Sequence, residues 1–551
     1  MAQYSAKRLD HLGIVAGTIQ DLKLVELIDN LIPPDPQEIL TTGEIVSAMI
    51  YNGLGFVSRP LSLTPQFFES KAVEALFDKE ITHENLNRHK LGRVLDKIHA
   101  FGCETLFSCV AKQACTLEAV STKIQSLDTT SFSFTGEYGN ETDEGVVEIK
   151  HGYSKDHRPD LKQVVLELMV SQDGSIPLLA KTFDGNESDT EIFKKRAKGI
   201  IENFKAGEEP PYLVADSKLY CEKNAENLAQ LKYITRIPNK LNEVGDLVET
   251  ACGSDGGWEK IDDHNQVKVF EKLHYEIDQR WVVVKSEKAL AASEKSINKK
   301  VSKEKSSAEK QLKSFKKQKF GCQSDALKAV QKTFSRLYYH ELSEVRPVPV
   351  IQNQGRGRPK KDGSTPQKTF YEIQCDLVEK KSVIDSEKTR RSCFVIGTNI
   401  ESSKMSAGEV VSTYKAQSGV ERGFRFLKDP YFFASSLFLK KNSRIMGLLM
   451  VMTLSLLVYS IAQRRLRKDL KEASATLPNQ INKEIDTPTM RWIFQILEGI
   501  NIIYIRENGK TRRILDRLTV LKERVLRSLS KTIQSFYGLS PGKMLRPEFQ
   551  R

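Results

Sequence analysis

Two apolar runs in this 551-residue chain end on an acid: IQSLD closes at Asp128 and YLVAD closes at Asp216. A carboxylate at the end of a buried strand stands at the rim of a sheet, on a rigid element. Two such ends on neighbouring strands bring their carboxylates together, which is unfavourable unless a cation sits between them. Oxygen-only ligands suit Mg²⁺ or Mn²⁺, and two such ions can clamp the attacking and leaving oxygens of an in-line phosphoryl displacement. A strand-end Asp also commonly caps the turn that follows it. The pair, 88 residues apart in matching settings, therefore leaves metal chemistry and turn capping both open.

Competing chemistries lack their motifs. There is no GxxxxGK[ST], no HExxH and no GxSxG; GKT at 509–511 follows a strand-like IIYIREN without the upstream Gly of a phosphate loop. His151 and His157, in KHGYSKDHRPD, could be ligands or bases, but read as members of a polar loop near the site. No nucleotide cofactor is expected.

The elements that would carry these acids follow from periodicity. Up to about residue 115 the pattern is helical, with Leu9, Leu12, Ile14, Val15 and Ile19 followed by Leu24, Val25, Leu27 and Ile28. Pro33, Pro34 and Pro36 break it, and Thr41 opens a capping box with Glu44. Residues 116–240 alternate strands and a helix: IQSLD, Val146 to Ile149, QVVLELMV (163–170), a helix around 190–204, YLVAD and YITRI (233–237). Residues 241–400 hold strand-like WVVVKS (281–286), YEIQCDLV (371–378) and SCFVIGTN (392–399) around a lysine-heavy helix. Residues 401–475 are helical, and 476–551 read as a C-terminal helical region with a helix at 513–531.

The net charge of +13 points to a polyanionic partner or to a merely basic surface. Fifteen Lys and Arg stand against five Asp and Glu between 281 and 340, which fits a solvated helix or a DNA-contact surface equally. The eight cysteines show no CxxC pair, so neither a zinc site nor a disulfide framework is expected, and a reducing cytoplasm fits. The start is polar, without the apolar stretch of a signal peptide. IMGLLMVMTLSLLVYSIA (445–462) is long enough to nominate a membrane span. Its flanks are basic on both sides, giving no inside–outside asymmetry, and we read it as a helix buried in a soluble core. No membrane partner is expected.

Four stretches carry a family resemblance: SLDTTSF (126–132), HGYSKDHRPDLKQ (151–163), DGNESD (184–189) and VADSKLY (214–220). With the opening RLDHLGIVAGTIQDLKLVELID and IYNGLGFVSRPLSLTPQFFE, they resemble the IS4-like DDE transposases, and among these the IS1634 group of insertion sequences. Such enzymes carry a helical signature Y-x2-R-x3-E-x6-K, which here reads Tyr414, Gln417, Glu421 and Lys428. Gln417 stands in place of the usual Arg, exchanging a bidentate cationic phosphate contact for a neutral donor. The steps of three or four residues put Tyr414, Gln417, Glu421, Arg425 and Lys428 on one helix face.

The resemblance implies an α/β protein with an RNase H-like catalytic core, a helical N-terminal DNA-binding domain (1–115) and a mostly β insertion domain (241–400). The first catalytic Asp would lie on the first core strand, the second after the fourth, and the Glu on a late helix. Asp128, Asp216 and Glu421 would then hold two Mg²⁺ or Mn²⁺ ions. Tyr414, Gln417, Arg425, Lys428, Lys155 and Arg158 would contact DNA. Trp281, with Trp258 as its alternative, is a candidate for stabilising a flipped base, although an indole is more often core. GRGRPKK (355–361) resembles an AT-hook, whose Arg356 and Arg358 would enter a narrow minor groove; a basic loop is the other reading. The implied function is binding of an element's terminal inverted repeats, two-metal cleavage and strand transfer into target DNA. It would be carried out by a homodimer in a prokaryotic cytoplasm, at the nucleoid. The alternatives are an RNase H-fold nuclease without strand transfer, or an inactive DNA-binding relic.

Overall fold

The computed structural model describes residues 3–57, 59–136, 138, 145–202, 211–253, 256–354, 367–432, 439–507 and 510–539. The chain divides into two compact units, Met1–Thr235 with Ser412–Arg551, and Arg236–Val411.

The first unit opens with strand β1 (Gln3–Arg8). Seven helices follow: α1 (Leu12–Asp21), α2 (Leu24–Leu31), α3 (Thr42–Leu54), α4 (Thr64–Glu69), α5 (Val73–Phe77), α6 (Arg88–Phe101) and α7 (Cys103–Leu117). The capping box expected at α3 is present: Glu44 N donates to Thr41 Oγ1 at 3.2 Å and Thr41 N to Glu44 Oε2 at 2.8 Å. Next come β2 (Ile124–Phe134), β3 (Lys162–Ser171), β4 (Pro177–Phe183), α8 (Asp189–Glu202), β5 (Tyr212–Ala215), α9 (Ala225–Gln230) and β6 (Lys232–Arg236). These strands form a sheet in the order β4-β3-β2-β5-β6. The β2–β3 and β3–β4 pairs are antiparallel, and the β2–β5 and β5–β6 pairs are parallel.

Two strand expectations change here. Val146 to Ile149 form no strand. Val147 and Ile149 are buried, but side chains meet their neighbourhood's backbone: Asn442 Nδ2 donates to Val147 O at 3.1 Å, and Glu148 N donates to Asp184 Oδ1 at 2.8 Å. The third core strand is instead β4, whose half-exposed PLLAKTF has weak alternation. Asp216 still follows the fourth core strand.

The second unit contains α10 (Asn242–Gly253), β7 (Glu259–Asp262), β8 (Asn265–His274), β9 (Ile277–Ser286), α11 (Glu287–Phe315), α12 (Gln323–Phe334), β10 (His340–Asn353), β11 (Gln367–Glu379), α13 (Lys381–Ser392) and β12 (Cys393–Thr398). Strands β12, β9, β8 and β7 pair antiparallel in that order, and β10–β11 is a long hairpin. The expected mostly β insertion is therefore a mixed one. The 29-residue α11 buries Ile297, Val301, Ala308, Leu312 and Phe315 along one side and exposes its lysines on the rest. Amphipathic helices of this kind bury one stripe and leave the charges solvated.

The chain continues through α14 (Ala407–Ala416), α15 (Ser418–Leu427) and α16 (Asn442–Glu472), then β13 (Leu477–Pro478), β14 (Glu484–Ile485), α17 (Met490–Ile496), β15 (Asn501–Glu507), β16 (Lys510–Asp516), α18 (Val520–Arg527) and α19 (Lys531–Phe536). The helix expected over 513–531 starts only at Val520. Ile514 and Leu515 belong to β16, the edge of a three-stranded sheet ordered β1-β15-β16. Helix α16 is the axis of the first unit. It packs against α1, α3, α6 and α7, and also against β4, α15 and α17. It is long and apolar enough to cross a membrane by length and composition, yet 83% of its most apolar window is buried inside the protein. Three of its flanking arginines are paired within the protein. Arg444 bonds Asp96, Arg464 bonds Asp173, and Arg465 bonds both Asp21 and Glu118.

Candidate active site

Asp128 lies within β2 and Asp216 directly follows β5. The parallel β2–β5 register runs from Ile124↔Tyr212 to Leu127↔Ala215, so the next residue on each strand is the acid. Opposite residues of a parallel pair point to the same face, and the two carboxylates stand side by side. Asp216 caps the turn that follows β5, its Oδ1 accepting from Lys218 N at 2.9 Å; Asp128 does not end its strand as expected, since β2 continues to Phe134, and its Oδ1 accepts from the adjacent Thr129 N at 2.7 Å. In each acid one carboxylate oxygen is engaged in this way while the other remains available.

Helix α15 lies over the face of β2 and β3 that carries Asp128. A Cβ placed on Gly423 would come within 3.2 Å of Leu168 Cδ2, and Leu168 is the β3 partner of Asp128. Five residues on, the Lys428 ammonium sits 5.6 Å from the centre of the Phe132 ring, further along the same face of β2. At its other end, Gly419 meets the Ser175 side chain in the β3–β4 turn. The helix thus runs alongside β2 in the same direction, held close by two glycines, and Glu421 is exposed between them near the level of Asp128.

The opposite face belongs to α8. Arg196 clasps buried Glu167 with two hydrogen bonds, of 3.0 and 2.7 Å, and Glu167 is the β3 partner of Thr129. This docks the first turn of α8 beside the strand ends. Ser188 Oγ accepts from Glu191 N at 3.3 Å, which leaves Asp189 free to turn toward β2. There it accepts from Thr129 Oγ1 at 2.5 Å, lies 3.2 Å from the Lys155 ammonium and pairs with Lys218. Lys155 also donates to the Thr129 carbonyl at 2.5 Å and to Thr129 Oγ1 at 2.6 Å.

Lys155 reaches this point because two loops cross closely, with Gln163 Nε2 donating to Tyr153 O of one at 3.2 Å and to Gly185 O of the other at 2.7 Å. A Cβ on Gly152 would fall 2.0 Å from Gly185 O, and one on Gly185 would fall 2.0 Å from Gln163 O. These glycines belong to HGYSKDHRPD and DGNESD, and a side chain at either would collide where the motifs cross.

The charges are pushed apart. Burial first, then Asp216 and Asp189, raises the Asp128 carboxyl to about 6, against the pull of Lys155 and the Thr129 amide. Asp216 is also raised, by burial and by Asp189, with Lys218 and Lys155 opposing. For Asp189 burial works in the same upward direction, but bonds from Lys218 and Thr129 and the charge of Lys155 outweigh it and hold it below the usual range. Acids whose environments separate them in this way commonly mark functional sites.

The Asp128 shift has a stability consequence. Its folded value lies above its unfolded one, so between about pH 4 and pH 6 the folded chain holds the extra proton, and metal-free stability falls as pH rises through that window. The loss is at most about 3 kcal/mol. Asp128→Asn removes the ionisation. In a chelator its melting temperature is therefore expected to exceed wild type at pH 7.5 and to match it at pH 4; no gain at pH 7.5 would contradict the shift.

The remaining expected site residues are distributed as follows. Gln417 separates α14 from α15, so the signature helix is two segments rather than one; the Gln417 amide bonds Tyr414 O at 3.1 Å, three residues back. Tyr414 and Gln417 are half-buried and Arg425 is exposed. Lys428 pairs with Asp156 at 2.7 Å and Arg158 with Asp160 at 2.7 Å. Trp281 is fully buried in the middle of β9, its Nε1 donating to Gln279 Oε1 at 3.1 Å. Its expected role at a flipped base is thereby corrected to a core one, since a buried indole takes an internal partner. Trp258 is half-buried under the Lys285 ammonium. Arg356 and Arg358 lie outside the described residues.

Asp128 and Asp216 offer oxygen-only donors in a partly buried pair, and that donor set fits a hard divalent cation. Among the described residues, no three acidic, histidine or cysteine side chains stand close enough to enclose an ion. Glu421 is on the helix that covers this face, but α15 turns Gly419, Val420, Gly423, Phe424 and Leu427 to the sheet and leaves Glu421 exposed, so it is not gathered with the other two. Sequence reasoning missed Asp189 as a member of the constellation, although DGNESD, which contains it, was among the stretches carrying the resemblance.

Residues 121–458 match the transposase DDE domain family, a span that contains all three acids. The chain belongs to that family. It is a DDE transposase. Residues 4–112 of the transposase match a domain of unknown function, DUF4277. No curated protein sequence matches it significantly. Among solved structures, the piggyBac transposase in its synaptic complex with hairpin DNA is similar at 10% identity and a TM-score of 0.34, over 90% of this chain and 81% of that one. Backbones compared at that score share only a loose likeness.

Proposed function

We propose that this transposase binds the terminal inverted repeats of an insertion sequence of the IS4-like, IS1634 type, cleaves DNA at those ends and joins them to target DNA. The observation that carries the proposal is the placement of Asp128 and Asp216 on adjacent parallel strands, with the helix that bears an exposed Glu421 packed over the face of Asp128. That placement supports an RNase H-like core, with its first acid on the first core strand, its second after the fourth and its third on a late helix.

Asp128, Asp216 and Glu421 are the residues that would hold two Mg²⁺ or Mn²⁺ ions. When bound, such ions activate the attacking oxygen and stabilise the departing one. The chain's own groups do the rest. Asp128, within β2, and Asp216, directly after β5, would fix the reaction on rigid elements. Arg425, exposed one turn beyond Glu421, and Lys428 one turn further would hold backbone phosphates, with Tyr414 and Gln417 on the preceding turns. Lys155 and Arg158 would approach the DNA from the loop beside β2. The net charge of +13 supports a nucleic-acid partner. Synapsis of two ends calls for a homodimer. A buried α16 fits a protein acting on DNA in the cytoplasm, at the nucleoid.

The test supplies pre-cut end DNA and a plasmid target with Mg²⁺. Joined products are expected. End cleavage without any joining would favour the nuclease alternative, and neither reaction would favour the inactive relic.

A further inference from the structure

The cations nearest the strand-end acids are not where an unconstrained ion pair would put them. Lys155 and Lys218 both stand close enough to Asp128 and Asp216 to influence their charge, yet neither forms an ion pair with those acids. Both ammoniums are held by Asp189 instead. The carboxylate is itself fixed: Thr129 Oγ1 donates to one oxygen while the ammoniums gather at the other. Its helix is docked on the back of the sheet by Arg196 and Glu167, and its side chain is only 10% exposed. Lys155 has a second tie, to the Thr129 carbonyl.

We infer that Asp189 is a positioning residue for the metal site: it tethers the Lys155 and Lys218 ammoniums away from Asp128 and Asp216, keeping those two carboxylates open to divalent cations. An ammonium and a divalent ion compete for the same oxygens. Loss of the Asp189 charge would release two cations within reach of the strand ends, and the shortest route to a new partner is onto Asp128 or Asp216. In the partly buried site such pairs would be strong. Asp189 thus acts through the lysines and does not itself need to touch the ion. The inference rests on the metal-site reading above.

The test is Mn²⁺ binding to the full chain without DNA, followed by paramagnetic resonance and calorimetry, so that its readout is not activity. Asp189→Asn is expected to weaken Mn²⁺ by on the order of 10-fold. Adding Lys218→Gln to that variant removes one released ammonium and should restore affinity to within about 2-fold of wild type. Asp189→Glu, which keeps the charge, should bind as wild type does. If Asp189 were itself a ligand, or only held α8 in place, Lys218→Gln would not restore binding. An Asp189→Asn chain that binds like wild type, or a double variant as weak as the single one, overturns the proposal. Should Asp189→Asn fail to fold, Asp189→Ser alone and combined with Lys218→Gln carries the same comparison, and a double variant as weak as the single one overturns the proposal. Asp128→Asn is the control: if it binds Mn²⁺ as wild type does, the metal-site reading fails, and this proposal with it.

Discussion

Asp128→Ala, Asp216→Ala and Glu421→Ala should each lower end cleavage by about 10³-fold or more while leaving DNA binding within about 2-fold, because each removes a group acting on the charge that develops at the phosphorus rather than one that grips the duplex. The three differ in what else they should do. Asp128 and Asp216 are partly buried beside one another, so neutralising either relieves repulsion and should not destabilise the metal-free chain. Glu421 is exposed on α15 between Gly419 and Gly423, so its loss should leave stability within about 0.5 kcal/mol. Three inactive but well-folded variants would separate chemistry from architecture. A Glu421→Ala enzyme that cuts at the wild-type rate would remove the third acid from the site and leave only the strand-end pair.

The second large effect is expected in α16, where stability rather than chemistry is at stake. Leu457 is fully buried at the centre of the first unit, and Leu457→Ala should cost about 2–5 kcal/mol by chemical denaturation. Arg465 joins Asp21 from α1 and Glu118 beyond α7, with its side chain 16% exposed. Arg465→Ala leaves both carboxylates short of a cation and should cost about 3–5 kcal/mol, the magnitude typical of breaking one partner out of a buried pair. Ser530 Oγ, which donates to Asp21 at 2.9 Å, would remain and soften the loss. Both variants should stay in the supernatant after high-speed centrifugation of detergent-free lysate. Wild-type protein found wholly in the membrane pellet would contradict the burial of α16.

Legibility in the sequence tracked how local each structural cause is. The two acids were readable because IQSLD and YLVAD change character at their last residue; β5 does stop before Asp216, whereas β2 runs on through Asp128 to Phe134, because TTSFSF continues the ladder with β3. The capping box at Thr41 and Glu44 was readable because both partners lie within one turn. Strand β1 was not, because QYSAKR is held in place by β15, about 500 residues later, in a register from Gln3↔Arg506 to Arg8↔Asn501. β16 was hidden by the same sheet. Ile514 and Leu515 fall in phase with Leu518, Leu521, Val525 and Leu526, so periodicity ran a helix straight through a strand and its turn. Val146 to Ile149 looked like a strand because their side chains are apolar and buried, whereas a strand also needs a ladder, and side chains of Asn442 and Asp184 take those backbone groups instead. Trp281 was misplaced by chemistry-first reasoning, since nothing local tells an indole that reads a base from one that fills a sheet. Asp189 stayed unassigned because its importance comes from lysines 34 residues before it and 29 after it.

The most direct test of the central claim is anomalous diffraction from crystals of the transposase with end DNA and Mn²⁺. The account predicts Mn²⁺ at the strand ends, ligated by Asp128 and Asp216, with the Glu421 carboxylate completing the coordination from α15. Manganese bound elsewhere, or bound at the strand ends with Glu421 still turned out to solvent, would contradict it.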